Sequence, residues 1–385
     1  MPAYRRWVAG HLVSVIGTWS QDLALTWYLL DRTGSPSITG AVIAAEWLPV
    51  LLLSAHAGAV VDHWDTLKLA RRAQVAFGII AAVLTVAVLR NAPIALILGL
   101  CTLRGIGNAL DSPARAALIG EMVPRALLPS AVTLSSVVFN AGRIIGPAIA
   151  GVVLGIWSPS ACIAVNAASF IVLYALLRSI EPGADRPPAP DKRPKVREGL
   201  RYLWSRSELR AGFVASAIVG TFALNSSTLF PLMAKEGLSG SASTAAAIMT
   251  AAGIGAVVAG SFLTRRTVVS LRVLVVSSSI FAVVIALMAA TTNAVTALFV
   301  AAAWGAVNIT FASSARSLIQ LHTDPPYRGR MMALFGICIT GSTAVGAPMI
   351  GAITDLTSIR TTMLVVSAAT LASGGLASIV ARVRP

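Results

Sequence analysis

Long apolar stretches constrain this chain more than any other feature. Residues 42–61, 73–89, 144–157 and 273–290 carry at most one charged side chain each. A hydrocarbon layer about 30 Å thick needs roughly 20 apolar residues per helical crossing. Backbone groups inside such a layer must find their partners within the segment, so each stretch has to be a helix. Charged residues make up only 12% of the 385-residue chain. Soluble domains carry about 25%, so too little polar surface is left to coat a water-exposed globule. The sequence therefore predicts an all-α, multi-pass membrane protein.

Hydropathy places twelve crossings at 8–31, 38–61, 73–90, 93–113, 131–156, 160–178, 209–233, 242–264, 271–290, 294–316, 331–354 and 359–380. The connections then fall into two sets. One holds Arg5, Arg6, Lys68, Arg71, Arg72, Arg125, the Arg178–Arg210 segment, Arg265, Arg266, Arg328, Arg330, Arg382 and Arg384. The other holds only Arg32, Arg90, Lys235 and Arg360. Cytoplasmic loops are the ones enriched in Lys and Arg, which puts both termini in the cytoplasm of a bacterial inner-membrane protein and requires an even number of crossings. The net charge of +15 follows this rule and gives no ground for nucleic-acid binding. Met1 to Arg6 precede an apolar run that is too long, and lacks the small-residue cleavage site, for a signal peptide. Cys101, Cys162 and Cys338 lie inside apolar blocks, with neither a disulfide framework nor metal-ligand spacing.

Residues 181–194 contain five prolines and read as an extended linker. Val196, Leu200 and Leu203 then share a helical face, as in a short interfacial helix on anionic lipid; a solvated charged loop is the alternative. The halves on either side repeat. Gly17-Thr18-Trp19 recurs as Gly220-Thr221-Phe222, Gly58 as Gly260, Gly105 and Asn108 as Gly305 and Asn308, Ala114-Arg115 as Ala315-Arg316, Gly146 as Gly346 and Gly151 as Gly351. The offset stays between 200 and 203 residues. The expected organisation is a six-helix half at 1–180, a cytoplasmic linker with an interfacial helix at 181–208, and a second six-helix half at 209–385. Parallel six-helix repeats with a midplane site are an established transporter architecture.

Specific residues now carry a family resemblance. Gly58-Ala-Val-Val-Asp62-His-Trp-Asp65 resembles the loop signature of the major facilitator superfamily. Arg104 resembles its helix-four arginine, and Gly142-Arg-Ile-Ile-Gly146-Pro147-Ala-Ile-Ala-Gly151 its antiporter signature. Asp111-Ser-Pro-Ala-Arg115 and Arg328-Gly329-Arg330 resemble the branch containing the bacterial enterobactin exporter and related multidrug effluxers. His63 and Thr66 stand where arginine is frequent, and the Gln-Gly pair after the helix-four arginine is absent. The resemblance implies the major facilitator fold, alternating access and small-molecule export.

Ionisable groups inside a bilayer are costly and mark function by default. They are Asp22, Glu46, Arg104, Asp111 and Arg143, with His11 and His56 as weaker candidates. At 1.5 Å per residue, Arg104 and Arg143 fall within about 2 Å of their helix midpoints, and Asp22 and Glu46 about 4 Å outward. Asp22, Glu46 and Arg104 are the proton-coupling candidates; a fixed ion pair is the competing reading, which suits Arg143 better. Asp111 and Arg115 mark a cytoplasmic gate, together with Gly58, Asp62, Arg328 and Arg330. Asp62 or Asp65 would pair with Arg328 or Arg330 there, or remain solvated loop charges. Gly142, Gly146, Pro147 and Gly151 form, with Arg143, a small-residue face for close helix packing. Trp19, Trp47, Asn140, Phe222, Asn225, Trp304 and Asn308 are candidates for an aromatic cavity with a few polar groups, against ordinary core packing. Trp7, Trp157 and Trp204 are placed at the membrane interface.

The expected function is export of a drug, siderophore or natural product by proton antiport, from a protein contacting lipid, acting as a monomer and needing no cofactor or metal. Uptake, facilitated diffusion and a non-transporting ligand sensor are the alternatives. No nucleophile–base pair, Walker loop or dinucleotide fingerprint suggests an enzyme.

Overall fold

A computed structural model describes residues 2–61, 64–180, 196–263 and 270–382. Asp62, His63, the 181–194 linker, Lys195, Arg265, Arg266 and Arg384 lie outside the described residues, as do the side chains of His56 and Val196 and the surroundings of Gly58. The regular structure of the described residues is all helical, without strands. The helices are α1 (Pro2–Thr33), α2 (Pro36–Val61), α3 (Thr66–Leu89), α4 (Ile94–Met122), α5 (Leu128–Ile156), α6 (Pro159–Arg178), α7 (Val196–Trp204), α8 (Ser207–Phe222), α9 (Ser226–Leu232), α10 (Ala242–Leu263), α11 (Leu271–Ala290), α12 (Ala294–Leu321), α13 (Arg328–Leu356) and α14 (Ile359–Arg382).

Eleven membrane spans of sufficient length and apolarity occur among the described residues. Apart from the short α7, the helix that does not qualify is α1. Its 32 residues could reach about 48 Å, but it carries Ser14, Ser20, Gln21 and Thr26, all buried. Large apolar side chains stand exposed along the other helices, including Ile79, Val83 and Val86 on α3 and Phe299 at 75%. Such a surface would aggregate in water and is at home in hydrocarbon. Trp157 and Trp204 are exposed near helix ends, as an interfacial belt requires. Trp7 departs from the expectation: it is 2% exposed and stacks between Tyr4 and His11.

The chain divides into two compact units, Met1–Gly34 with Ala41–Pro190, and Ser35–Gly40 with Asp191–Pro385. In the first, α1 packs against α5 and α6, and α3 against α4 and α6. In the second, α8 packs against α13 and α14, and α11 against α12 and α14. Gly105 sets α4 against the backbone of α2 at Glu46, and Gly305 sets α12 against the backbone of α10 at Ala252. Ser158 and Ser358 cap α6 and α14 by accepting from the N–H of Ala161 and Thr361; such caps contribute about 1 kcal/mol.

Two of the four cations assigned to the poorly charged side serve the backbone. Arg32 donates to the carbonyls of Asn91 and Ala92, closing the α3–α4 turn onto α1. Arg360 donates to the carbonyls of Gly237 and Ala289.

Two segments differ from the sequence reading. The single crossing expected at 209–233 is interrupted after Phe222, and α9 starts again at Ser226. The amide of Asn225 donates to the carbonyls of Gly220 and Thr221, the groups this break releases. Helix α7, expected on lipid, docks on protein: Leu203 is buried with Leu209, Phe213, Ile319 and Met331, while Leu200 stays exposed. Tyr202 stacks on Tyr327 with 4.1 Å between ring centroids, and Glu198 pairs with Arg330 at 3.1 Å.

Candidate functional site: a buried arginine between two carboxylates

Small residues draw three helices together in the first unit. A Cβ on Gly142 would strike Val15, and one on Gly146 would strike Trp19 and the Ile16 carbonyl, so α5 lies directly on α1. The Ser20 hydroxyl reaches both the Ile16 and Gly146 carbonyls. On the other side of α1, Gly17 meets Asn166 and Ser169 of α6, and Asn166 donates to Gln21 at 2.8 Å. This clamp fixes the rotation of α1 one residue before Asp22.

Arg104 receives what the clamp presents. Its Nη2 lies 2.8 Å from Asp22 Oδ1 and 3.2 Å from Glu46 Oε1. Helix α2 can deliver Glu46 only because Gly105, the next residue on α4, has no Cβ to strike the Glu46 carbonyl. The three side chains are 6%, 30% and 13% exposed for Arg104, Asp22 and Glu46. Nη1 of Arg104 is buried with no hydrogen-bond partner among the described residues. One guanidinium therefore faces two carboxylates while a strong donor stays unspent, in a setting where unpaired polar groups are costly.

Arg143, at similar depth, is turned elsewhere: its guanidinium stands 5.9 Å from the Trp19 ring centroid. Pro147 and Gly151 are buried on α5 beside Gly142 and Gly146. Asp111 is 1% exposed and pairs with Arg115 of the same helix at 2.9 Å, with Gln74 Nε2 at 3.5 Å. Gln74, Gln21 and Asn166 were not singled out from the sequence. The signal available was a buried amide on a membrane helix.

The remaining gate candidates are engaged locally. Asp65 caps α3, accepting from the Lys68 N–H, and pairs with the Lys68 ammonium at 3.4 Å. Partial burial opposes its ionisation, but those Lys68 contacts hold the carboxyl below its usual range. Arg328 donates to the Thr323 carbonyl, and Arg330 lies over the Tyr327 ring while pairing with Glu198.

The aromatic candidates separate. Trp304 is 1% exposed and enclosed edge-on by Phe230 and Phe281, a packing site in the second unit. Asn225 is buried at the helix break, and Asn308 is 9% exposed. Trp19 sits edge-on to Phe139, and Phe222 is half-buried. Trp47 is exposed, and Asn140 is exposed with its amide on the Ser136 carbonyl. Among the described residues, the charged side chains in the fully buried class are Arg104 and Asp111, both in the first unit.

Comparison with known proteins places the chain as a whole. Residues 3–385 match the family model described as transmembrane secretion effector. The staphyloferrin A transporter of Staphylococcus aureus is 28% identical over 63% of this chain and 62% of its own length. The macrolide efflux protein A of Streptococcus pyogenes is 26% identical over 89% of this chain and 87% of its own. Among solved structures, a mutant of the nucleoside transporter NupG superposes with a TM-score of 0.82 at 12% identity, over 98% of this chain and 99% of that one. At that identity the likeness speaks for the fold alone.

Proposed function

This chain belongs to the transmembrane secretion effector family of major facilitator transporters, and on that premise we propose that it exports a small organic compound from the cytoplasm in exchange for protons. The observation that carries the proposal is Arg104 between Asp22 and Glu46. With both carboxylates ionised the cluster holds one excess negative charge in a buried site; one proton makes it neutral. Uptake and release of that proton is the exchange half of an antiport cycle, and alternating access supplies the other half. Similarity to a macrolide efflux protein supports the outward direction.

The exchange test is carboxylate by carboxylate. In inverted vesicles with an imposed pH gradient, Asp22→Asn is expected to reduce uphill accumulation of cargo at least tenfold while downhill exchange persists. Asp22 is the more accessible of the two acids, at 30% against 13% exposure. Loss in Glu46→Gln with Asp22→Asn intact would move the proton site to Glu46. Full accumulation in the double variant would overturn coupling through this cluster.

In the proposed topology α1 is a twelfth crossing, the six-helix halves are 1–180 and 209–385, and both termini face the cytoplasm of a bacterial inner-membrane monomer. The cations on the 66–72, 125, 178–210 and 328–330 connections support that orientation. Tags inserted between Pro182 and Pro194 or at the C-terminus are expected to react only from the cytoplasmic side. Labelling from the periplasm would reverse the orientation.

A further inference from the structure

An open pocket of about 320 Å3 lies between α3 and α6, lined by Lys68, Arg71, Arg72, Val75 and Tyr174. It is separate from the Arg104 cluster and takes no part in the proposed exchange. Three cations line it, and Asp65, at the start of α3, is already committed to capping that helix and pairing with Lys68. Arg71 is anchored by donating to the carbonyls of Leu177 and Ile180 at the end of α6, so part of the wall is rigid. Arg72 is exposed and has no carboxylate partner among the described residues. Arg178, one turn beyond Tyr174, is exposed as well.

The pocket is polar at one end only. Residues 68, 72, 75 and 79 follow the spacing that places side chains on one helical face. Along that face the exposed cations Lys68 and Arg72 give way to Val75 and Ile79, at 44% and 60% exposure. On α6, Ile171 stands 66% exposed one turn from Tyr174. A small soluble anion would use the cations and leave the apolar wall bare. A molecule bearing a phosphate on two hydrocarbon tails would use both, and basic pockets between membrane helices bind such head groups. We propose that this cleft is a binding site for an anionic phospholipid, with the phosphate held by Lys68, Arg71 and Arg72 and the acyl chains lying along Val75, Ile79 and Ile171.

The test uses the full-length protein in mild detergent, titrated with phosphatidylglycerol or phosphatidylcholine and read by native mass spectrometry. Lys68→Gln/Arg72→Gln removes two exposed charges and spares Arg71, whose carbonyl contacts hold α6. The double variant is expected to lose about 30-fold in phosphatidylglycerol affinity, the combined effect of two surface cations, with phosphatidylcholine unchanged. Should the double variant denature, the single Arg72→Gln supplies the same reading with about a fivefold loss expected for one cation. Equal phosphatidylglycerol retention in variant and wild type overturns the site. Saturation by inorganic phosphate at the concentration where lipid binds, with no advantage for the lipid, overturns the phospholipid assignment.

Discussion

Arg104→Ala is expected to abolish the proposed pH-driven export and to destabilise the first unit by about 3–5 kcal/mol, the usual cost of removing one partner from a buried pair. One nitrogen, Nη2, serves both Asp22 and Glu46. Its removal strands two carboxylates together, and each of them repels the other. The loss is therefore expected to exceed the sum of effects in either carboxylate variant alone. Adding Asp22→Asn and Glu46→Gln to Arg104→Ala should recover most of the melting temperature, because neutral amides can share hydrogen bonds without a counter-ion. Export should stay absent, since the proposed proton-exchanging carboxylates are gone from the cluster. Thermal unfolding and vesicle transport measured on the same preparations separate the two roles. Recovery of both together would make the cluster a structural staple. Wild-type melting and transport in Arg104→Ala would remove it from consideration altogether.

The second large effect is expected at Gly105. An alanine Cβ there overlaps the Glu46 carbonyl, which is backbone and cannot swing aside as a flexible side chain would. Helix α2 must move away from α4, at a cost of about 3 kcal/mol or more, the upper range for overpacking. The same displacement carries Glu46 away from Arg104, so Gly105→Ala should weaken export beyond its effect on stability. Gly305→Ala should impose a similar stability loss through the Ala252 carbonyl, without touching the arginine cluster. Gly99 and Gly120 are internal controls on α4, each with open space where a Cβ would stand. Alanine at either is expected to be neutral or to stabilise by about 0.5–1 kcal/mol, by helix preference alone. Equal melting of Gly105→Ala and Gly99→Ala would show that α2 and α4 are not in contact as described.

Depth along a helix is readable from sequence, and rotation about it is not. Counting residues puts Arg104, Arg143, Asp22 and Glu46 in one layer. The helix-four arginine does meet both acids there, while Arg143 faces Trp19. That choice depends on which way α5 is turned, which Gly142 and Gly146 settle by seating on α1. The regular placing of Gly105 and Gly305 is likewise visible in the chain, but their targets, two carbonyl oxygens on other helices, are not.

Hydropathy also misses changes that leave composition unaltered. Neither a proline nor a charged residue occurs between Phe222 and Asn225, so hydropathy does not announce the break there. Helices α4 and α12 run on to Met122 and Leu321, past the charged residues at which an apolar window stops. Each ends shortly before a proline, Pro124 or Pro325, which disfavours helix at the residue before it. The pattern in Leu200 and Leu203 correctly marks a two-faced helix in α7, but amphipathicity says nothing of whether lipid or Met331 and Phe213 cover the apolar side.

The buried charges of the described helices are concentrated in the first unit, whereas the second keeps its ion pairs, Arg206–Asp324 and Glu198–Arg330, at exposed or half-exposed positions. This asymmetry separates two kinds of substitution. A substitution in the interior of the second unit meets apolar side chains and neutral polar ones such as Ser216, Asn225 and Thr228, and leaves every buried charge with its partner. A substitution near Arg104 disturbs three residues at once. The interior of the second unit can therefore change without stranding a charge, whereas the neighbourhood of Arg104 cannot.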